Sequence, residues 1–114
     1  DTEQLLEAAV PDIFIFHAGI TRGGTTGYAE GRSLEEMAMR SQAHYEIAKQ
    51  LCPDAIRLAH GAALVSPEDA QYMLDCTDCH GVQLGSSIER IAIESPLEER
   101  AASFKAVCFS ANAK

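Results

Sequence analysis

No run of apolar residues in this chain approaches the eighteen or so that a membrane-spanning helix needs. No Pro/Gly/Ser-rich linker and no low-complexity tract divides it, so its 114 residues read as one small domain. Positive charge is scarce: 9 Lys and Arg stand against 17 Asp and Glu, a formal net charge of −8. That balance argues against a nucleic-acid or anionic-membrane surface, since both need clustered cations facing phosphate. No signal peptide is visible, although the chain opens at Asp1 rather than Met, so its true N-terminus is expected to be missing. Cys52, Cys76, Cys79 and Cys108 are scattered through helical or buried-looking segments, which reads as reduced thiols in a cytoplasmic protein.

One motif is present and demands a decision. Cys76-Thr77-Asp78-Cys79-His80 fits the C-x-x-C-H pattern of haem attachment. Haem of that type needs export and usually a second axial ligand in a crevice, and neither is signalled. Zinc needs a second close pair of ligands, and Cys52 and Cys108 do not supply another C-x-x-C. A redox C-x-x-C follows a strand and opens a helix, whereas this one ends a helix and enters a strand. The expectation is no haem and no metal here, only chance and packing.

Three strand-then-helix units follow a short helical segment, Thr2 to Ala9. Asp12 to His17 is a short apolar run fenced by Pro11 and Gly19, as buried strands are. After a Gly/Thr-rich loop, Ser33 caps a helix and Glu36 closes a capping box. Leu34, Met37, Ser41, Tyr45, Ala48 and Leu51 share one face of that helix. Ala55 to His60 is the second strand. Ser66 then caps a helix with Pro67 in its first turn, where a missing N–H costs nothing; Ala70, Met73 and Leu74 point inward. Gly81 to Gly85 is the third strand. Ser86 or Ser87 caps a short turn, and a last helix starts at Ser95-Pro96-Leu97-Glu98, burying Leu97, Ala101, Phe104 and Cys108. The alternation predicts an α/β fold with parallel strands and right-handed crossovers. A complete (β/α)8 barrel takes roughly 200 residues or more. Residues 1–114 are therefore expected to be a single incomplete TIM-barrel domain, about three βα units from its C-terminal part. A piece of a doubly wound sheet is the fallback.

In parallel α/β folds chemistry sits at the carboxyl ends of the strands. Two of these strands end on histidine, at His17 and His60, on the face opposite Phe14 and Phe16. A single such histidine is more often structural; two at equivalent positions favour a site, with general acid/base catalysis as their role. Gly85-Ser86-Ser87 opens a helical turn and suits an anion, unless the serines only cap it. Arg22 beside Gly23 and Gly24 suits a carboxylate or phosphate, although the loop lacks a GK[ST] ending and GxGxxG spacing. Glu89 and Arg90 either pair with each other or support the site.

Three blocks carry a resemblance: His17 to Gly27, His60-Gly61-Ala62 through Pro67-Glu68-Asp69, and His80-Gly81 through Gly85-Ser86-Ser87-Ile88-Glu89-Arg90. Together they resemble the phosphoenolpyruvate hydrolase-like TIM-barrel family, in order and over nearly the whole chain. The sequence departs from the pattern at Ala62, where a second glycine is usual, at Gln83-Leu84, and at Arg57 in a strand that is normally apolar. The resemblance implies that the chain is the C-terminal half of the family's domain, with the N-terminal half missing. It implies hydrolase or lyase activity on a small phosphorylated or carboxylated keto-acid such as pyruvate or its relatives. His17 and His60 would then be catalytic, and Arg22, Gly23, Gly24, Gly61, Gly85, Ser86 and Ser87 would bind the anion, supported by Thr21, Glu89 and Arg90. Mg2+ follows by superfamily analogy, with ligands outside these residues. The alternative is a non-catalytic ligand-sensing or protein-interaction barrel. Half a barrel exposes apolar strand surface, so a homo-oligomer, or partial unfolding, is expected of the chain alone.

Overall fold

The computed structural model describes residues 1–25, 27 and 31–106. In chain order the elements are α1 (Thr2–Ala8), β1 (Ile13–His17), α2 (Leu34–Leu51), β2 (Ile56–His60), α3 (Pro67–Cys76), β3 (Gly81–Gln83), α4 (Ser86–Glu89) and α5 (Ile91–Lys105). The strands form one parallel sheet in sequence order, β1-β2-β3. Ile13 to His17 run in step with Ile56 to His60, and Leu58 to His60 with Gly81 to Gln83. Parallel neighbours need crossovers, and α2 and α3 provide them. Both pack on one face: the fully buried Met37, Tyr45 and Met73 meet Ala59, with Phe14, Phe16 and Val82 against the same cluster. Consecutive parallel strands with same-sided crossover helices have the layout of successive βα units of a (β/α)8 barrel.

Strand alternation sorts the two faces. Phe14 meets the Tyr45 ring edge-on at 6.2 Å, and Phe16 stacks on His44 at 4.2 Å. On the opposite face, Ile13, Ile15 and Ile56 are 52%, 44% and 48% exposed. This is the face a closed barrel turns inward. Capping fixes where the helices start. Asp1 and Gln4 form a reciprocal box on α1, and Ser66 and Asp69 form one on α3, with Pro67 in its first turn. At α2 the expected box is half made. Ser33 Oγ accepts from the Glu36 N–H, while the Glu36 carboxylate turns to Arg32 at 3.1 Å.

Several expectations are corrected. The third strand stops at Gln83 because β2 ends at His60, the partner of Gln83, leaving Leu84 and Gly85 no strand to pair with. Leu51 and Leu74 are exposed rather than inward. Leu51 is the last residue of α2, and Leu74 lies one position past Met73, which already holds the inward place. The turn before the last helix is capped by Gly85, with no side-chain bond from either serine. The last helix starts at Ile91, not Ser95, because the backbone runs on through Arg90, whose carbonyl accepts from the Ile93 and Glu94 N–H groups. Pro96 thus falls inside α5 and removes the donor to the Ala92 carbonyl, at an exposed position where water can replace it. No residue of α5 is buried; Leu97 and Phe104 are 64% and 68% exposed. The element contacts of α5 are chiefly with α4. Cys108 lies outside the described residues.

At the amino end of β3, the C-x-x-C-H residues form a packing seam. Thr77 caps α3, its N–H and Oγ1 both donating to the Met73 carbonyl. Asp78 accepts from Gln42 at 2.7 Å and Lys49 at 2.9 Å, and these two bonds hold its carboxyl below the usual range. Cys79 is buried with its Sγ 3.6 Å from the Met73 carbonyl, and Cys76 is an exposed free thiol. His80 Nδ1 accepts from the Arg57 N–H at 3.0 Å. Arg57 is only 7% exposed, and its guanidinium donates to the carbonyls of Asp78 and Ala55. Those oxygens make a buried cation tolerable within the strand.

Candidate functional site

At the other edge of the sheet, the loops after β1 and β2 are stitched together beyond the strands. The Ala18 N–H donates to the His60 carbonyl, the Ala62 N–H to that of Gly19, and the Arg22 N–H to that of Ala62, each at 2.9 Å. Gly61 has φ +85°, and a Cβ there would run into the Gly19 carbonyl, so the crossing needs glycine. Ala62 follows at φ +47°, the only non-glycine residue with positive φ among the described residues. This backbone lattice holds the ends of the two strands in fixed relation.

His17 and His60 are register partners on that edge, and their rings stand edge to face with centroids 4.8 Å apart. Their hydrogen bonds assign opposite tautomers in the neutral state. His17 Nδ1 faces the Gly19 N–H at 3.1 Å, which can only donate, so Nδ1 accepts and the proton sits on Nε2. His60 Nδ1 faces the Gln83 carbonyl at 2.8 Å, which can only accept, so Nδ1 carries the proton and Nε2 keeps its lone pair. One ring offers a donor and its neighbour an acceptor. The site therefore unites the two sequence-derived histidines, and adds the Gln83 carbonyl as the group that orients His60. No sequence motif marks Gln83, because its contribution is backbone.

The third strand end lies beside them through the pairing of His60 with Gln83. Ser86 and Ser87 are the first residues of α4, and neither hydroxyl makes a hydrogen bond among the described residues. They are not spent on capping. A Cβ at Gly85 would meet nothing within 4 Å, so the approach to them is open.

The glycine loop behaves differently. Gly23 and Gly24 take φ +84° and +70°, turning the chain so that the Thr25 N–H donates to Glu94 Oε2 of α5 at 2.6 Å. A Cβ on Gly24 would overlap that carboxylate. Arg90 Nε lies 3.7 Å from Glu94 Oε1, so Arg90 pairs one helical turn ahead and not with Glu89. Glu89 is exposed and makes no ion pair among the described residues. Glu94 was missed in the sequence; its only trace is the i, i+4 spacing from Arg90. Arg22 is half-buried with its aliphatic stem against Gly31, and has no carboxylate partner among the described residues. With Arg32, Gly19 and Ala62 it lines a cavity of about 330 Å³. Thr21 is half-buried beside it. Thus His17, His60, Gly61 and the Gly85 to Ser87 turn gather on one edge, while Gly23, Gly24 and Arg90 gather around Glu94.

The profile of the phosphoenolpyruvate hydrolase-like family matches residues 1–107. The chain is 34% identical over 108 residues to the ToMV resistance protein Tm-1(GCR237) of Solanum lycopersicum, and equally to the ToMV susceptible protein tm-1(GCR26) of the same plant. In both cases the match covers 94% of this chain and 14% of the relative. A putative transcriptional regulatory protein, y4pA, of Sinorhizobium fredii is 26% identical over 107 residues, 94% of this chain and 17% of that protein. The chain thus spans about a seventh of the length of the tomato relatives. With its motifs, its βα layout and a family match over nearly all its length, the chain belongs to the phosphoenolpyruvate hydrolase-like family.

Proposed function

We propose that the carboxyl edge of this sheet is an anion-binding site for a small phosphorylated or carboxylated keto-acid, with hydrolase- or lyase-type chemistry carried by His17 and His60. The observation that carries the reading is the pair of adjacent imidazoles whose Nδ1 atoms face opposite backbone groups, an N–H at His17 and a carbonyl at His60. An Nε2–H on His17 can donate to an oxygen that gains negative charge. A bare Nε2 on His60 can take a proton from water or substrate. Ser86 and Ser87 supply hydroxyl donors for the anion, and Arg22 supplies a guanidinium from its cavity. The described residues contain no group of three or more His, Cys, Asp or Glu placed to hold a metal, and two imidazoles do not fit the oxygen-rich shell of Mg2+. No step is assigned to that ion.

In this reading residues 1–114 are one incomplete barrel domain of a cytoplasmic protein. The bare isoleucine face is covered by the missing N-terminal half or by a second copy of the chain. Among the described residues no helix is long and apolar enough to cross a membrane. A second reading, a ligand-sensing or protein-interaction barrel without turnover, is favoured by the names of two relatives, which speak of ToMV resistance and of transcriptional regulation.

Thermal unfolding of the protein carrying this chain, with phosphoenolpyruvate, phosphonopyruvate, pyruvate or oxalate, tests both. A ligand that binds only the folded state raises Tm by mass action. A rise that His60→Ala and Ser86→Ala abolish, with turnover of the same compound, supports the enzyme. The same rise without turnover supports the sensor. No rise with any of the four defeats the anion site.

A further inference from the structure

The glycine loop already holds an anion, and it belongs to the chain itself. A turn can aim a backbone N–H outward at an anion, which a neighbouring cation then also stabilises. Here Gly23 and Gly24 make that turn, and the anion's place is taken by Glu94 Oε2, 69 residues away in sequence, bonded to the Thr25 N–H at 2.6 Å. Arg90 supplies the flanking cation at 3.7 Å from the other oxygen. Gly24 has no room for a side chain while the carboxylate is seated. The Glu94 side chain is 19% exposed, while Gly23, Gly24 and Thr25 are exposed, so the contact lies at the surface with the carboxylate itself sheltered.

We propose that Glu94 is an internal competitor: its carboxylate occupies an anion seat formed by the Thr25 N–H, which the Gly23-Gly24 turn aims, and by Arg90, and must leave when a ligand phosphate or carboxylate takes the same seat. The proposal rests on the reading of Gly23 and Gly24 as anion-binding residues, and adds a regulation to it. Two like charges do not share one N–H and one guanidinium, so ligand binding releases α5 from the loop and release of α5 strengthens ligand binding. The coupling is reciprocal. Glu94 ties α5 to the glycine loop, beside Ile91 against Gly23, and its departure loosens that attachment.

The test is a titration of the protein with inorganic phosphate by calorimetry, in wild type, Glu94→Gln and Glu94→Ala. Gln keeps an acceptor for Thr25 but drops the charge; Ala empties the seat. The expected result is phosphate binding tightened about tenfold in Glu94→Ala, within the usual span of coupling between sites, with Glu94→Gln in between. Equal or weaker phosphate binding in both variants overturns the proposal and leaves Glu94 a structural tie. Should Glu94→Ala fail to fold, the Gln variant decides alone, since it preserves the hydrogen bond. Adding His60→Ala separates this proposal from the functional reading. Tightening that persists without His60 keeps the seat and removes it from the histidine site. Tightening that vanishes joins the two.

Discussion

Ala62 offers a sharp test, because one residue carries both a family departure and a strained backbone. At φ +47° an L-residue bears a steric cost of roughly 1–2 kcal/mol that glycine does not. Replacing Ala62 by Gly removes that cost. It also removes a buried methyl, worth about 0.8 kcal/mol, and loosens the unfolded chain by about 0.4–1 kcal/mol. Gain and losses nearly cancel, so Ala62→Gly is expected to be close to neutral. Ala63 is the control: it is 1% exposed, immediately adjacent, and not in the positive-φ region. Ala63→Gly suffers both losses with no relief, and is expected to destabilise by about 1–2 kcal/mol. Urea unfolding at constant slope reads the difference as a midpoint gap of about 1 M between the two variants. Equal loss in both variants would refute the strain argument, and with it the explanation of why a second glycine is usual here. Because Ala62 also lines the Arg22 cavity, the same variant enlarges that space by one methyl.

Two further outcomes follow from buried polar groups. The Tyr45 hydroxyl is buried with no well-formed hydrogen bond among the described residues, although Ser41 is close enough to act on it, and burial pushes its phenol above the usual range. Tyr45→Phe is expected to stabilise by about 1 kcal/mol in urea unfolding, and a loss of that size would reveal a partner the phenol needs. His44 is half-buried, stacked on Phe16 and bonded to Thr2 at 2.8 Å; burial and then the Arg40 charge lower its pKa. Its folded pKa lies below its unfolded value, so the stability it contributes is full above the unfolded pKa of about 6.5 and is lost as pH falls through the folded pKa. Unfolding free energy measured from about pH 8 down to about pH 5.5 should therefore fall less steeply in His44→Gln than in wild type. An identical slope in both would show that His44 titrates alike in the folded and unfolded states.

The strand-helix alternation was legible because it depends on local signals. The apolar runs at Ile13 to His17 and Ile56 to His60, and the caps at Ser33 and Ser66, carry their conformation in a few adjacent residues. The last helix was misplaced because the rule that keeps proline in a first turn outweighed the possibility of an exposed carbonyl at Ala92. Its expected core face was misread because burial depends on what lies alongside, and the described residues of α5 contact chiefly α4.

The histidines show the same division at the site. Sequence by itself put His17 and His60 at the ends of neighbouring strands on one face, since alternation and strand ends are one-dimensional facts. It also determined the family, through spaced glycines, serines and histidines. Only the tertiary structure decided which nitrogen of each imidazole carries the proton, because the deciding partners, the Gly19 N–H and the Gln83 carbonyl, are backbone groups of any residue. Only it brought Glu94 to Thr25 across 69 residues. Hydrogen bonds and charges act over a few ångströms of space, and the chain fixes those distances only once it is folded.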